Sequence, residues 1–168
     1  MRKLAALFLP LLLAACGLQP MYAGGGKGAV AQGLAAVEVS TIEGRAGWLV
    51  RNALVDRLEA AHAAGSTARY RLDVRLDDRL EGLAVLSDDT VSRERRTLRA
   101  RYQLVDLAGG GIILDATASA DAGIDVVSSE YATIAAEQTA LENLAHDVAD
   151  RIVTRVALHL RNNGPGAQ

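Results

Sequence analysis

The side chains that could carry chemistry are few: one cysteine, three histidines, a scatter of serines and a row of regularly spaced arginines. His62, His146 and His159 fall in stretches with helical spacing, and no pair stands four residues apart beside a glutamate, so they do not read as metal ligands. No serine sits in a G-x-S-x-G elbow. Gly24-Gly25-Gly26-Lys27-Gly28 lacks the spacing, the following Ser or Thr and the preceding strand of a phosphate loop. The arginines are different. Arg71, Arg75, Arg79, Arg93, Arg95, Arg99 and Arg101 recur at even intervals, and guanidinium groups bind phosphate and carboxylate oxygens two at a time. The expected chemistry is anion binding rather than bond breaking, and the chain is read as a non-enzyme with no metal and no cofactor.

The cysteine sets the compartment. Cys16 follows Leu13-Ala14-Ala15, and upstream lie Arg2, Lys3 and an apolar run from residue 4 to residue 13 broken only by Pro10. A basic start, a short greasy run and small residues before a cut are the marks of a secretory signal over residues 1–15. The run holds about ten residues, roughly half of what spans a bilayer. Leu-Ala-Ala-Cys resembles a bacterial lipobox. The resemblance implies a diacylglycerol thioether on Cys16 and an N-acyl chain on its amino group, and two or three acyl chains anchor durably where one does not. Cys16 is the sole cysteine, so no disulfide is available within the chain.

Without the signal, 153 of the 168 residues remain, with sixteen basic side chains against twenty acidic ones. That is one domain's length, mildly acidic, and unsuited to nucleic acid. Residues 16–34 are glycine-rich without a period and read as a flexible tether, in which Met21 and Tyr22 are either partner contacts or plain spacer. A single domain is expected over 35–162 and a loose tail over 163–168.

Inside the domain, Ala35, Val37 and Val39 alternate with polar neighbours as a short strand. Residues 48–63 take helical spacing, with Val50, Leu54, Leu58 and Ala61 on one side. Trp48, at its start, reads first as a core residue capping the sheet and second as a partner anchor. Tyr70, Leu72, Val74, Leu76 and Leu80 then alternate with Arg69, Arg71, Asp73, Arg75, Asp77 and Arg79 in nearly perfect period two, Asp78 being the one lapse. A third strand over 91–105 turns Leu98, Ala100, Tyr102 and Leu104 inward and its arginines outward. Residues 106–111 are a glycine-bearing hairpin turn, and a fourth strand places Ile112, Leu114, Ala116, Ala118, Ala120 and Ala122 on one face. A long helix over 131–161 carries Ile134, Leu141, Leu144, Ala145, Val148, Ile152, Val156 and Leu160 at intervals of three, four or seven.

The order is β-α-β-β-β-α. Each strand has one apolar face and each helix one apolar stripe, so the expected fold is α+β: a two-layer sandwich whose mixed four-stranded sheet carries two helices on one face. The other face is polar. Its aspartates, Asp73, Asp77, Asp115 and Asp121, either pair with the arginines at little net gain or leave some free for anions. Arginine outnumbers acid on the third strand, which favours anion contact there.

Cys16-Gly17-Leu18-Gln19-Pro20-Met21-Tyr22, the segment Arg51-Asn52-Ala53-Leu54-Val55-Asp56-Arg57-Leu58 and the segment Tyr131-Ala132-Thr133-Ile134-Ala135-Ala136-Glu137 together resemble the LptE family of lipopolysaccharide-assembly lipoproteins, in its alphaproteobacterial style. The resemblance implies a lipid-anchored protein on the periplasmic side of the outer membrane. It would be a subunit of the lipopolysaccharide translocon that plugs and helps assemble the β-barrel LptD and touches lipopolysaccharide in transit. Gly17 rather than Asp after the lipidated cysteine agrees with outer-membrane sorting in enteric bacteria. The other class of function open to such a chain is an auxiliary lipoprotein of an ABC-type envelope transporter.

Overall fold

The computed structural model describes residues 28–59, 67–85 and 91–163. In chain order the elements are α1 (Ala29–Ala35), β1 (Val37–Val39), α2 (Gly44–Glu59), β2 (Tyr70–Val85), β3 (Val91–Asp106), β4 (Ile112–Asp125) and α3 (Glu130–Asn163). They build one sheet in the order β1-β2-β3-β4, with β1 parallel to β2 and the other pairs antiparallel. This is the expected mixed sheet and α+β architecture, with one short helix added.

Period two in the sequence becomes two faces in the sheet. On the inner face Leu72 stands beside Leu104 and Leu114, Val74 beside Tyr102 and Ala116, and Leu76 beside Ala100 and Ala118. Against them α3 lays Leu144, Val148, Ile152 and Val156, and α2 lays Val50 and Leu54, all with almost no exposed surface. Each such aliphatic side chain contributes about 1.5–3 kcal/mol of burial. The alanines of β4 present little bulk, which leaves room for the long helix above that strand. At about 1.5 Å per residue α3 is roughly 50 Å long, and the sixteen residues of β2 at about 3.3 Å match it. The buried residues of α3 begin only at Ala140, so its first ten residues run past the core.

Several local expectations are corrected. The tether does not extend to residue 34: Val30, Ala31, Leu34 and Ala35 are buried in α1, and a side chain at Gly33 would meet Leu160 at 3.2 Å. Ala35 therefore ends a helix, and β1 shrinks to three residues. The second helix starts at Gly44, whose φ of +79° glycine adopts without strain. Trp48 is not core; it is 62% exposed. Nor does Ile112 face inward. The register jumps from Leu104 opposite Leu114 to Val105 opposite Ile112, so Ile113 is an extra residue that turns Ile112 outward. The β3–β4 turn itself is as expected, with Gly110 at φ +69° donating its N–H to the Asp106 carbonyl at 2.8 Å. Ile134, expected on the packed stripe of the last helix, lies in the protruding part and is exposed.

Gly47 is the tightest backbone approach. A Cβ there would stand 2.6 Å from the carbonyl oxygen of Ile42. Backbone cannot step aside as a flexible side chain would, so Gly47→Val is expected to cost about 3 kcal/mol and to lower the melting temperature by roughly 6–12 °C. Thermal unfolding followed by circular dichroism measures this, and a melt within about 2 °C of the parent would contradict the packing described.

An arginine-bearing sheet face as the candidate functional site

Residues 71, 73, 75, 77 and 79 of β2 and 93, 95, 99 and 101 of β3 lie on the sheet face away from the helices because they alternate with the inner-face residues just named. Arg71, Arg75, Arg79, Arg93, Arg95, Arg99 and Arg101 are all exposed there. The structure divides them into two groups.

Four are neutralised locally. Arg71 pairs with Asp73, Arg79 with Asp77, Arg93 with Asp125 and Arg101 with Asp115, each at 3.0 Å. The Asp73 carboxylate also accepts the Ser40 hydroxyl at 2.5 Å, and Asp115 accepts Gln103 Nε2 at 2.8 Å. Hydrogen bonds from Arg71 hold the Asp73 carboxyl below the usual carboxylate range, opposed by partial burial and helped by Ser40. Arg101 and then Gln103 do the same for Asp115. In return the Arg71, Arg79 and Arg101 guanidiniums are raised by their hydrogen bonds to Asp73, Asp77 and Asp115. All of these groups stay charged at neutral pH.

Arg75, Arg95 and Arg99 are the second group, with no hydrogen bond or ion pair to another side chain among the described residues. Register explains why for Arg75 and Arg99; Arg95 stands opposite Glu81 without an ion pair to it. Arg75 stands directly opposite Arg101, a like-charge pair, while Asp77 opposite Arg99 is drawn along its own strand to Arg79. Like charges opposite one another are destabilising, and an incoming anion relieves that. Beside them, where β1 ends, a cavity of about 460 Å³ is lined by Ser40, Thr41, Asp73, Val74, Arg75, Arg101 and Gln103. Forked donors over a polar recess can hold a phosphate or carboxylate group from two sides.

The strict alternation conceals an eighth arginine. Arg96 points to the helix side, where its guanidinium meets Asp78 at 2.7 Å and donates to the Glu137 carbonyl at 3.0 Å. Its hydrogen bond to Asp78 raises it further above its ordinary value. The polar lapse at Asp78 is thus half of an ion pair that ties the sheet to the start of α3. A second pair joins the helices, with Arg57 donating to both carboxylate oxygens of Asp150.

His146 is exposed and lies 3.4 Å from Arg57 Nη1, and His159 lies beside Asn163. Among the described residues no three of His, Cys, Asp and Glu gather as a metal site, and no helix is long and apolar enough to cross a membrane. Cys16, residues 17–22 and His62 lie outside the described residues.

The class is defined by fold. A lipoprotein from Caulobacter crescentus is 29% identical, with a TM-score of 0.67 over 83% of this chain and 100% of that one. The minor lipoprotein from Acinetobacter baumannii (14% identity, TM-score 0.60, 74% and 92% covered) and rare lipoprotein B from Shewanella oneidensis (14%, 0.58, 76% and 96%) share the fold. A search of curated proteins gives no match. Residues 34–156 match the family model LptE, lipopolysaccharide-assembly, and the chain belongs to that family. Its coarse role is therefore that of an envelope lipoprotein of lipopolysaccharide assembly.

Proposed function

We propose that this chain is the lipid-anchored, outer-membrane subunit of the lipopolysaccharide translocon, held at the periplasmic side by acyl chains on Cys16. It sits within the polar lumen of the LptD barrel as plug and assembly partner, and touches lipopolysaccharide phosphates during transport. The observation that carries this reading is the one-sided charge of the sheet: Arg75, Arg95 and Arg99 are exposed without ion-pair partners among the described residues. Large membrane barrels have wet, polar interiors, which suit an exposed charged face better than an apolar wall would. Arginine forks suit the phosphates of a lipopolysaccharide headgroup.

The partner is tested by capture. The affinity-tagged full-length chain, extracted in mild detergent, is expected to bring down one large outer-membrane β-barrel in near-stoichiometric amount. Recovery of an inner-membrane ABC transporter in its place would overturn the assignment.

A further inference from the structure

Arg151 and Arg155 stand one turn apart on α3, and like charges at that spacing destabilise a helix. Both are exposed, and neither has an ion pair among the described residues, although Asp147 lies one turn before Arg151. Their spacing is unfavourable until an anion lies between them.

The place they overhang suits one. Both arginines line a cavity of about 570 Å³ between α3 and the free border of β4, floored by Ala116 and Ala118. Arg151 is fixed there by a hydrogen bond to the Ser119 carbonyl, which leaves most of its guanidinium donors unused. That carbonyl faces away from β3, so Thr117, two residues back on the same strand, turns its peptide N–H to the same border. Tyr102 completes the wall. It stands opposite Ala116, whose methyl group is too small to screen it, and only 2% of its surface is exposed. Its hydroxyl nonetheless keeps contact with solvent and makes no hydrogen bond among the described residues. Burial raises the phenol above its ordinary value, against a smaller opposite pull from Arg155, so the proton stays on and can be donated. Among the described residues no carboxylate lines the cavity.

The convergent groups are all donors, and two of them carry full positive charge. A carboxylate brings one negative charge and two oxygens to them. A phosphate monoester brings nearly two charges at neutral pH and three acceptor oxygens, one for each guanidinium and one for the phenol. Its organic part can lie along the alanine floor. We infer that the cavity beneath Arg151 and Arg155 is a binding site for a phosphate monoester, held by the two guanidiniums and the Tyr102 hydroxyl. The site lies on the helix side of the sheet, across from the face that carries Arg75, Arg95 and Arg99, and does not depend on the translocon role.

Nuclear magnetic resonance of the 15N-labelled full-length protein in a nonionic detergent tests it, with inorganic phosphate as the first probe at constant ionic strength. The amide and guanidinium signals of Arg151 and Arg155 are expected to move saturably, with a dissociation constant of about 1 mM, roughly tenfold tighter than for acetate. Y102F keeps the ring and removes only the hydroxyl, and R155Q changes an exposed side chain. Each should weaken phosphate roughly fivefold or more while the spectrum stays that of a folded protein. Glycerol 3-phosphate and a short-chain phosphatidic acid carry the same headgroup without and with acyl chains, and saturable binding of either at these residues supports the site and tells a soluble source from a lipid one. Signals of Arg75, Arg95 and Arg99 report the other face separately. No saturable shift at Arg151 and Arg155, equal affinity for acetate, or a Y102F chain that binds phosphate as the parent does would each overturn the proposal.

Discussion

Reversing Arg75, Arg95 and Arg99 to glutamate lowers affinity for lipopolysaccharide roughly a hundredfold, about fivefold for each position, in a direct binding measurement on the full-length protein. The expectation rests on a difference between arginines that share a face. Arg71, Arg79, Arg93 and Arg101 already have aspartate partners at 3.0 Å, so a ligand must compete for them. Arg75, Arg95 and Arg99 have no such competitor among the described residues. Reversal at Arg71 or Arg93 should accordingly change affinity less than reversal at Arg75 or Arg99. Binding should weaken with salt, because exposed charges are screened within about 8–10 Å at physiological ionic strength. The triple variant should still fold, since outward residues of a strand carry little packing. Unchanged lipopolysaccharide affinity in a folded triple variant would remove the headgroup contact and leave barrel contact as the role of these side chains.

Alternation alone would select Arg95, Arg99 and Arg101, because it counts charges along one strand. Charge balance on a sheet is decided across strands, and cross-strand register is invisible in a linear reading. Arg101 is satisfied by Asp115, fourteen positions along the chain, while Arg75 is set against Arg101 and left unpaired. The same limit hides the Arg96–Asp78 pair. Asp78 is conspicuous as a lapse in period two, but its partner is known only once β3 is laid beside β2. Strands and long helices, by contrast, are legible wherever periodicity lasts, and β2, β3 and α3 lie close to where their patterns place them.

Short elements escape because they lack enough repeats. α1 has seven residues, and two glycines at Gly28 and Gly33 lend it the look of a linker, yet Val30, Ala31 and Leu34 recur at one-turn spacing and are buried. Ile112 escapes because one inserted residue reverses every facing beyond it. Trp48 escapes for another reason: a single large apolar side chain carries no information about which side of its helix is covered. Its exposure, with that of Tyr131 and Ile134 on the protruding start of α3, leaves aromatic and aliphatic surface outside the core.

Depletion of the protein from growing cells measures the proposed role most directly, with lipopolysaccharide at the cell surface quantified by labelling intact cells as the chain is lost. A subunit that assembles and plugs the terminal barrel is required by every molecule exported, so surface delivery of new lipopolysaccharide should fall by about an order of magnitude or more while its synthesis continues and material accumulates inside the envelope. Undiminished arrival of newly made lipopolysaccharide at the surface, in cells shown to lack the chain, would contradict it.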